Sequence, residues 1–100
     1  MDAKTLAFPL EAIRAAVEEG ESDLLRLVER GEWIDDGKYQ YQEIILVDLT
    51  GKHFCYTLSK SGSYFAEVTY GWEYESDYVE LAEVEKATRT VEYWKVIEAA

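Results

Sequence analysis

The second half of the sequence carries an alternating pattern that strongly limits the folds open to the chain. From Lys38 onward, β-branched and aromatic residues alternate with polar ones and are interrupted at short intervals by turn residues such as Thr50-Gly51. Side chains in a β-strand point to alternate faces, so apolar residues at every second position indicate a strand. The short connections between these strands leave no room for the crossovers that parallel strands need. The pattern therefore predicts an antiparallel meander sheet of about five strands over residues 38–97. The predicted strands are Tyr39–Leu49, Lys52–Leu58, Tyr64–Trp72, Val79–Val84 and Arg89–Ile97.

The N-terminal part has the apolar spacing of a helix. Its apolar residues recur at intervals of four, three and four, which places them on one face of an amphipathic helix. Gly20 follows this run in the position of a C-terminal cap. Residues 22–30 fit either a second short helix or a first strand, and the spacing of their leucines favours the helix. The residues that define the first helix are Leu6, Leu10, Ile13 and Val17.

Together these patterns predict an α+β fold, in which one or two N-terminal helices pack on the antiparallel meander. The helical part covers about residues 6–30 and the sheet part about residues 38–97. A length of 100 residues is close to the commonest size of a single domain, and no linker divides the chain, so residues 1–100 are expected to form one domain.

The chain is strongly acidic, with 21 Asp and Glu residues against 10 Lys and Arg residues and a formal net charge of −11. Such a charge repels phosphate backbones and anionic lipid surfaces, so we expect neither direct nucleic-acid binding nor membrane binding. Because Cys55 is the only cysteine, an internal disulfide is excluded. The sequence has no export signal and no run of about eighteen apolar residues, so we expect a cytoplasmic protein with basic proteins or cations as partners.

His53 and Cys55 are the only pair that suggests metal binding or nucleophilic catalysis. They lie two apart on a predicted strand and therefore share a face, a spacing that occurs in some metal sites. The chain has no other histidine or cysteine to complete a site. It also has no glycine-rich nucleotide motif, so the sequence predicts no enzyme, no metal site and no bound cofactor.

The segment from Tyr64 to Glu85 combines acids with aromatic rings. It holds seven acidic residues and no lysine or arginine. Carboxylates bind guanidinium groups and aromatic faces accept cations, so this composition suits a surface that binds a basic protein. The alternative is that Tyr64, Tyr70 and Trp72 form the core face of a strand. The candidate partner-binding residues are Glu67, Tyr70, Trp72, Glu73, Tyr74, Glu75, Asp77, Tyr78 and Glu80.

Three short runs resemble a group of known proteins. They are Lys38-Tyr39-Gln40-Tyr41, the turn Ser61-Gly62-Ser63-Tyr64-Phe65, and Glu83-Val84-Glu85 together with Thr90-Val91-Glu92-Tyr93-Trp94. Over roughly residues 30–97 the chain is similar to small uncharacterised proteins of bacteriophages and prophages. That resemblance implies an inhibitor of host defence in the host cytoplasm, such as an anti-CRISPR protein, some of which mimic the charge of DNA. It implies no role for a particular residue.

The leading hypothesis is an inhibitor that binds a basic, nucleic-acid-binding defence protein through its acidic aromatic face. One alternative is a sponge that sequesters a small signalling nucleotide, which requires arginines to converge. Another alternative is a structural or assembly protein of the virion. Whether edge strands pair across a homodimer is left open by the sequence. The arginines that would have to converge are Arg14, Arg26, Arg30 and Arg89.

Overall fold

The computed structural model describes residues 4–62, 69–88 and 92–99, which form one antiparallel sheet with one α-helix packed on it. The helix, α1, covers Leu10–Glu19, and a short 3-10 helix covers Gly71–Tyr74. No helix among the described residues is long and apolar enough to cross a membrane. The strands are β1 (Thr5–Pro9), β2 (Leu25–Arg30), β3 (Ile34–Asp35), β4 (Tyr39–Asp48), β5 (His53–Ser61), β6 (Thr69–Tyr70), β7 (Tyr78–Thr88) and β8 (Glu92–Val96).

The predicted α+β fold, with one or two helices over residues 6–30, is wrong, because strands flank α1 on both sides. Leu6 fits the helical spacing, yet it lies in β1 opposite Leu81 of β7. Residues 25–30, where leucine spacing favoured a helix, form β2 along the edge of β4. In both places, pairing with a strand distant in sequence outweighs the local spacing. The described residues form a large antiparallel sheet that carries one short α-helix.

The sheet is larger than the predicted five-strand meander and has a different order. Its main path is β1-β7-β5-β4-β2, with β3 paired to β4, β6 to β5 and β8 to β7. Val84 of β7 pairs with His53 on one side and with Val96 on the other, so β8 extends the same edge as β1. The hairpin of β4 and β5 lies where the sequence predicts it. Because β1 and β2 lie at opposite edges, α1 carries the chain across the sheet.

Local sequence explains where α1 begins and ends. Pro9, with a φ of −58°, stands at its N-terminal boundary, where a missing amide hydrogen costs no helical hydrogen bond. Gly20 adopts a φ of 95° and donates its backbone N–H to the carbonyl of Ala16, which confirms the predicted C-terminal cap. The buried side of the helix presents Ile13, Ala16 and Val17 to the sheet.

One face of the sheet, here called the helix face, holds the main core under α1 and the 3-10 helix. Cross-strand pairs such as Leu46 with Phe54 and Ile44 with Tyr56 build it. The opposite face buries a smaller set of side chains. Buried core residues of the helix face are Leu25, Ile44, Leu46, Phe54, Tyr56, Leu58 and Leu81, and those of the opposite face are Ile45, Val47 and Val84.

The third and fourth predicted strands differ from the structure in their extent. Residues 63–68 lie outside the described residues; Thr69 and Tyr70 form β6, and the chain then turns into the 3-10 helix, so Trp72 does not lie on a strand. The strand predicted over Val79–Val84 is longer in the structure and ends at Thr88.

Candidate protein-binding surface

The 3-10 helix is anchored by Trp72. Its indole is only 5% exposed, stacks on the ring of Tyr70 at a centroid distance of 5.3 Å, and has the guanidinium of Arg14 from α1 5.1 Å above it. The backbone N–H of Glu75 donates to the carbonyl of Trp72 and closes the turn. The structure therefore places Trp72 in the core, whereas Tyr70 lies partly exposed at its edge.

The residues that follow Trp72 turn outward. Tyr74 is 82% exposed and Tyr78 is 65% exposed, so both rings are accessible to a partner. The acids between and beside them are also exposed. We call this set the acid–aromatic surface, and its members are Glu73, Tyr74, Glu75, Asp77, Tyr78 and Glu80. Glu67, the remaining predicted residue, lies outside the described residues.

Backbone hydrogen bonds fix the acid–aromatic surface to the rest of the fold. The N–H of Leu10, the first residue of α1, donates to the carbonyl of Asp77 at 2.8 Å. Tyr78 begins β7 opposite Pro9 of β1, and Glu80 follows on the same face of that strand. The surface is thus carried by hydrogen-bonded elements, and Tyr78 and Glu80 project from the face of β7 opposite to Val79 and Leu81, which pack in the core under α1.

The carboxylates of this surface affect the neighbouring core electrostatically. Burial, and then the negative charge of Glu75, raise the pKa of the Tyr56 hydroxyl to about 12. The ion pairs Arg14–Glu18 and Lys95–Glu85 use none of the surface's carboxylates. The surface therefore combines exposed carboxylates with two exposed phenol rings.

His53 and Cys55 share the face of β5 that is opposite to the helix face. Burial, and then the charge of Glu43, raise the pKa of the Cys55 thiol to about 11, so the thiol is protonated at neutral pH and is a poor nucleophile and metal ligand. The His53 ring packs against Trp94 at a centroid distance of 5.1 Å. Among the described residues, no three His, Cys, Asp or Glu side chains are grouped to hold a metal ion.

The three arginines that the structure describes lie in different places. Arg14 pairs with Glu18 on the exposed side of α1 at 2.6 Å. Arg30 donates to Gln42 and to the carbonyl of Val17 at the end of α1, while Arg26 lies on β2 opposite Val47. Arg89 lies outside the described residues. The described arginines thus form no common anion-binding cluster.

A second acidic feature was missed in the sequence. A groove of about 990 Å³ runs along α1 and the connection that follows it, and it is lined by residues between Pro9 and Leu24. We call it the α1 groove. None of its lining residues is a lysine or an arginine. The signal available in the sequence was the run of acids around Gly20, which was interpreted only as the end of a helix. The carboxylates of the groove are Glu11, Glu19, Glu21 and Asp23.

Comparison with known proteins places the chain among phage proteins. A family model described as Phage T4 Y04K protein matches residues 3–97. An uncharacterized 12.6 kDa protein in the pin-nrdC intergenic region of Enterobacteria phage T4 is 34% identical over 76 residues, which cover 73% of this chain and 68% of that protein. No solved structure matches the chain. The predicted resemblance to small phage proteins is confirmed.

Proposed function

The chain belongs to the phage T4 Y04K protein family, and we propose that it is an inhibitor that binds a basic, nucleic-acid-binding protein of the host's defence. It acts in the host cytoplasm by occupying the positive groove in which its target holds nucleic acid. Membership of a phage protein family supports a host protein as the target. That this host protein belongs to a defence system is proposed because small acidic phage proteins are often inhibitors of host defence.

The observation that carries this proposal is the acid–aromatic surface. Tyr74 and Tyr78 are both exposed, and the segment that holds them also carries four exposed carboxylates. Tyrosine contributes strongly to interface energy because a large ring is buried at a small entropic cost. The carboxylates select a basic target and exclude nucleic acid and anionic lipid.

Binding proceeds in two physical steps. The net charge of −11 attracts a positively charged groove over a distance of about a Debye length, which raises the association rate. The tyrosines then pack against apolar stems and guanidinium planes of the target, while carboxylates such as Glu73 and Asp77 bind arginines. The first step depends on salt and the second depends on ring burial.

The decisive experiment compares two variants of equal net charge. Glu73→Gln, Glu75→Gln and Asp77→Asn together alter the acid–aromatic surface. The control replaces three other exposed carboxylates, in Glu32→Gln, Glu43→Gln and Glu98→Gln, and both triple variants carry −11 + 3 = −8.

Each tagged protein captures targets from a host lysate, and the captured protein is then purified and loaded with DNA. We expect to capture a basic protein whose bound DNA the chain displaces. This target should bind the surface variant about tenfold more weakly than it binds the control variant. Capture that is equal in both variants and insensitive to salt contradicts the proposal, and so does a target that keeps its DNA.

A further inference from the structure

β1 lies at an edge of the sheet and has an open outer side. It pairs with β7 on its inner side, and among the described residues no strand pairs with its outer side. The N–H of Glu83 on β7 donates to the carbonyl of Lys4 at 2.7 Å. Because successive residues of a strand direct their backbone groups to alternate sides, the odd-numbered residues of β1 direct theirs outward. The N–H and C=O groups of Thr5 and Ala7 therefore point away from the sheet.

The opposite edge of the sheet, β2, is covered by the chain itself. The N–H of Leu27 donates to the carbonyl of Gly20 at 2.8 Å, and the N–H of Ser22 donates to that of Leu25 at 2.7 Å. A bulge between Leu27 and Glu29 also interrupts the strand. Covering segments and bulges both hinder the addition of a further strand, so β1 is the more open edge.

The side chains of β1 suit contact with another strand. Leu6 pairs with Leu81, which is only 2% exposed, yet Leu6 itself is 49% exposed because no neighbour covers its outer side. Thr5 and Ala7 are small and exposed. Leu6 therefore continues the core of the helix face to the edge of the sheet, where a partner strand would cover it.

The charge of β1 distinguishes it from the other long edge strands. β2 carries Glu29 and β8 carries Glu92, whereas β1 has no acidic residue and follows Lys4. In a chain with a net charge of −11, an acid-free edge is where a second acidic chain meets the least repulsion. This property favours a second copy of the chain as the partner of β1.

We propose that β1 pairs with β1 of a second copy, antiparallel and around a two-fold axis at Leu6, to form a homodimer with one continuous sheet. In this register Thr5 of each copy faces Ala7 of the other, and each such pair exchanges two backbone hydrogen bonds. The two Leu6 side chains meet at the axis on the helix face. Pro9, which has no N–H, ends the ladder. The inference is independent of the proposed function.

The proposed dimer makes a distinctive prediction about salt. Three strand spacings of about 4.8 Å separate the β7 strands of the two copies, so acids on β7 such as Glu80 are at least about 14 Å apart. That distance exceeds the Debye length of about 8 Å at physiological ionic strength. Salt therefore screens the repulsion between the copies and strengthens the dimer, whereas it weakens the capture of a basic host protein.

Sedimentation velocity of the full chain, from about 10 μM to about 1 mM, measures the association. We expect a reversible dimer with a dissociation constant on the order of 100 μM, as for a small interface, and a dimer fraction that rises from low to high salt. A chain that stays monomeric at about 1 mM in both salts overturns the proposal.

Opposite charges at the axis test the register. Leu6→Glu and Leu6→Lys each place like charges face to face and should weaken self-association by about tenfold, whereas an equimolar mixture of the two variants should form a heterodimer. The matched controls are Leu49→Glu and Leu49→Lys, which make the same charge changes at a leucine that is 80% exposed in the turn between β4 and β5. Both controls should dimerise as the unaltered chain does.

A proline variant tests the backbone pairing. Ala7→Pro removes one outward N–H and no hydrogen bond to β7, and should also weaken the dimer by about tenfold. Circular dichroism and urea unfolding confirm that each variant keeps its fold. A dimer that withstands the Leu6 and Ala7 changes uses another surface, and a mixture of the two Leu6 variants that stays monomeric excludes the register. Either result overturns the proposal.

Discussion

Trp94 on β8 donates its indole N–H to the carboxylate of Glu29 on β2, although three strands separate these two in the sheet. In a flat sheet, four strand spacings of about 4.8 Å would place the strands about 19 Å apart, beyond the reach of both side chains. The sheet must therefore curl toward the face opposite the helix. This curl accounts for the burial of Val47 and Val84 on a face that α1 does not cover.

Replacement of Trp94 by phenylalanine tests this contact, because it keeps a ring and removes the N–H. We expect the free energy of unfolding to fall by about 1 kcal/mol, as for a partly exposed hydrogen bond to a charged group. Urea unfolding followed by circular dichroism measures the loss. Glu43→Gln, which removes an exposed carboxylate of β4, serves as control and should change stability by less than about 0.5 kcal/mol. Equal midpoints for Trp94→Phe and the unaltered chain would show that the N–H contributes nothing.

Arg30 and Gln42 link α1 to the sheet through a partly buried polar network. Arg30 donates to the side-chain oxygen of Gln42 at 3.1 Å and to the carbonyl of Val17 in the last turn of the helix. Gln42 is 6% exposed and donates in turn to the carbonyl of Gly31 at 2.9 Å. A cation at a helix C-terminus also interacts favourably with the helix dipole.

A double-mutant cycle separates these contributions. Arg30→Met leaves the side-chain oxygen of buried Gln42 without its donor, and Gln42→Met removes the donor to the carbonyl of Gly31, so each should cost about 2 kcal/mol of unfolding free energy. The double variant removes both polar partners, and we expect it to cost less than the sum of the single losses by about 1 kcal/mol. Guanidinium unfolding of the four proteins measures the coupling. Strict additivity would mean that the two side chains act independently.

Local patterns predicted the parts of the fold that are determined by neighbouring residues. Gly20 ends α1 as its sequence position indicates, and the turn at Gly51 joins β4 to β5 as the alternation predicts. Leu6 and Leu25 were misassigned because their strand partners are contributed by β7 and β4, far along the chain. Spacing within one segment carries no information about such partners, so it cannot separate a short helix from an edge strand.

The candidate surface was predictable in composition but not in geometry. Acids and rings alternate through the segment, and that composition alone identified it. Which ring is exposed depends on the 3-10 turn at Gly71, which replaces the expected strand and directs Trp72 inward and Tyr74 outward. The α1 groove was missed because it forms only when the connection after Gly20 folds back beside the helix.

The Cys55 thiol makes stability depend on pH in the alkaline range. Its pKa is raised from 9.0 to about 11 in the folded chain, chiefly by burial. Between these values the folded protein retains a proton that the unfolded chain has lost, so the free energy of unfolding falls as the pH rises from 9 toward 11. Below pH 9 the thiol is protonated in both states and its contribution is constant.

Urea unfolding at a series of pH values across this window measures the slope. Cys55→Ala should reduce the slope of unfolding free energy against pH. In that variant the free energy of unfolding should still fall above pH 10, because the pKa of Tyr56 is raised to about 12 in the folded chain. Iodoacetamide should modify Cys55 much more slowly in the folded protein at neutral pH than in urea. Rapid modification of the folded protein at neutral pH would contradict the burial of the thiol.

Trp72 and Tyr74 are two residues apart, yet replacement by alanine should destabilise the fold at Trp72 and leave its stability almost unchanged at Tyr74. Trp72 is buried between Tyr70 and Arg14, so Trp72→Ala removes core contacts and should cost about 3 kcal/mol of unfolding free energy. Tyr74 is 82% exposed, so Tyr74→Ala should change stability by less than about 0.5 kcal/mol. Thermal unfolding of both variants measures the difference. If the tyrosine belongs to a binding surface, Tyr74→Ala weakens host-protein capture while it leaves the unfolding midpoint unchanged, a combination that a purely structural residue does not produce.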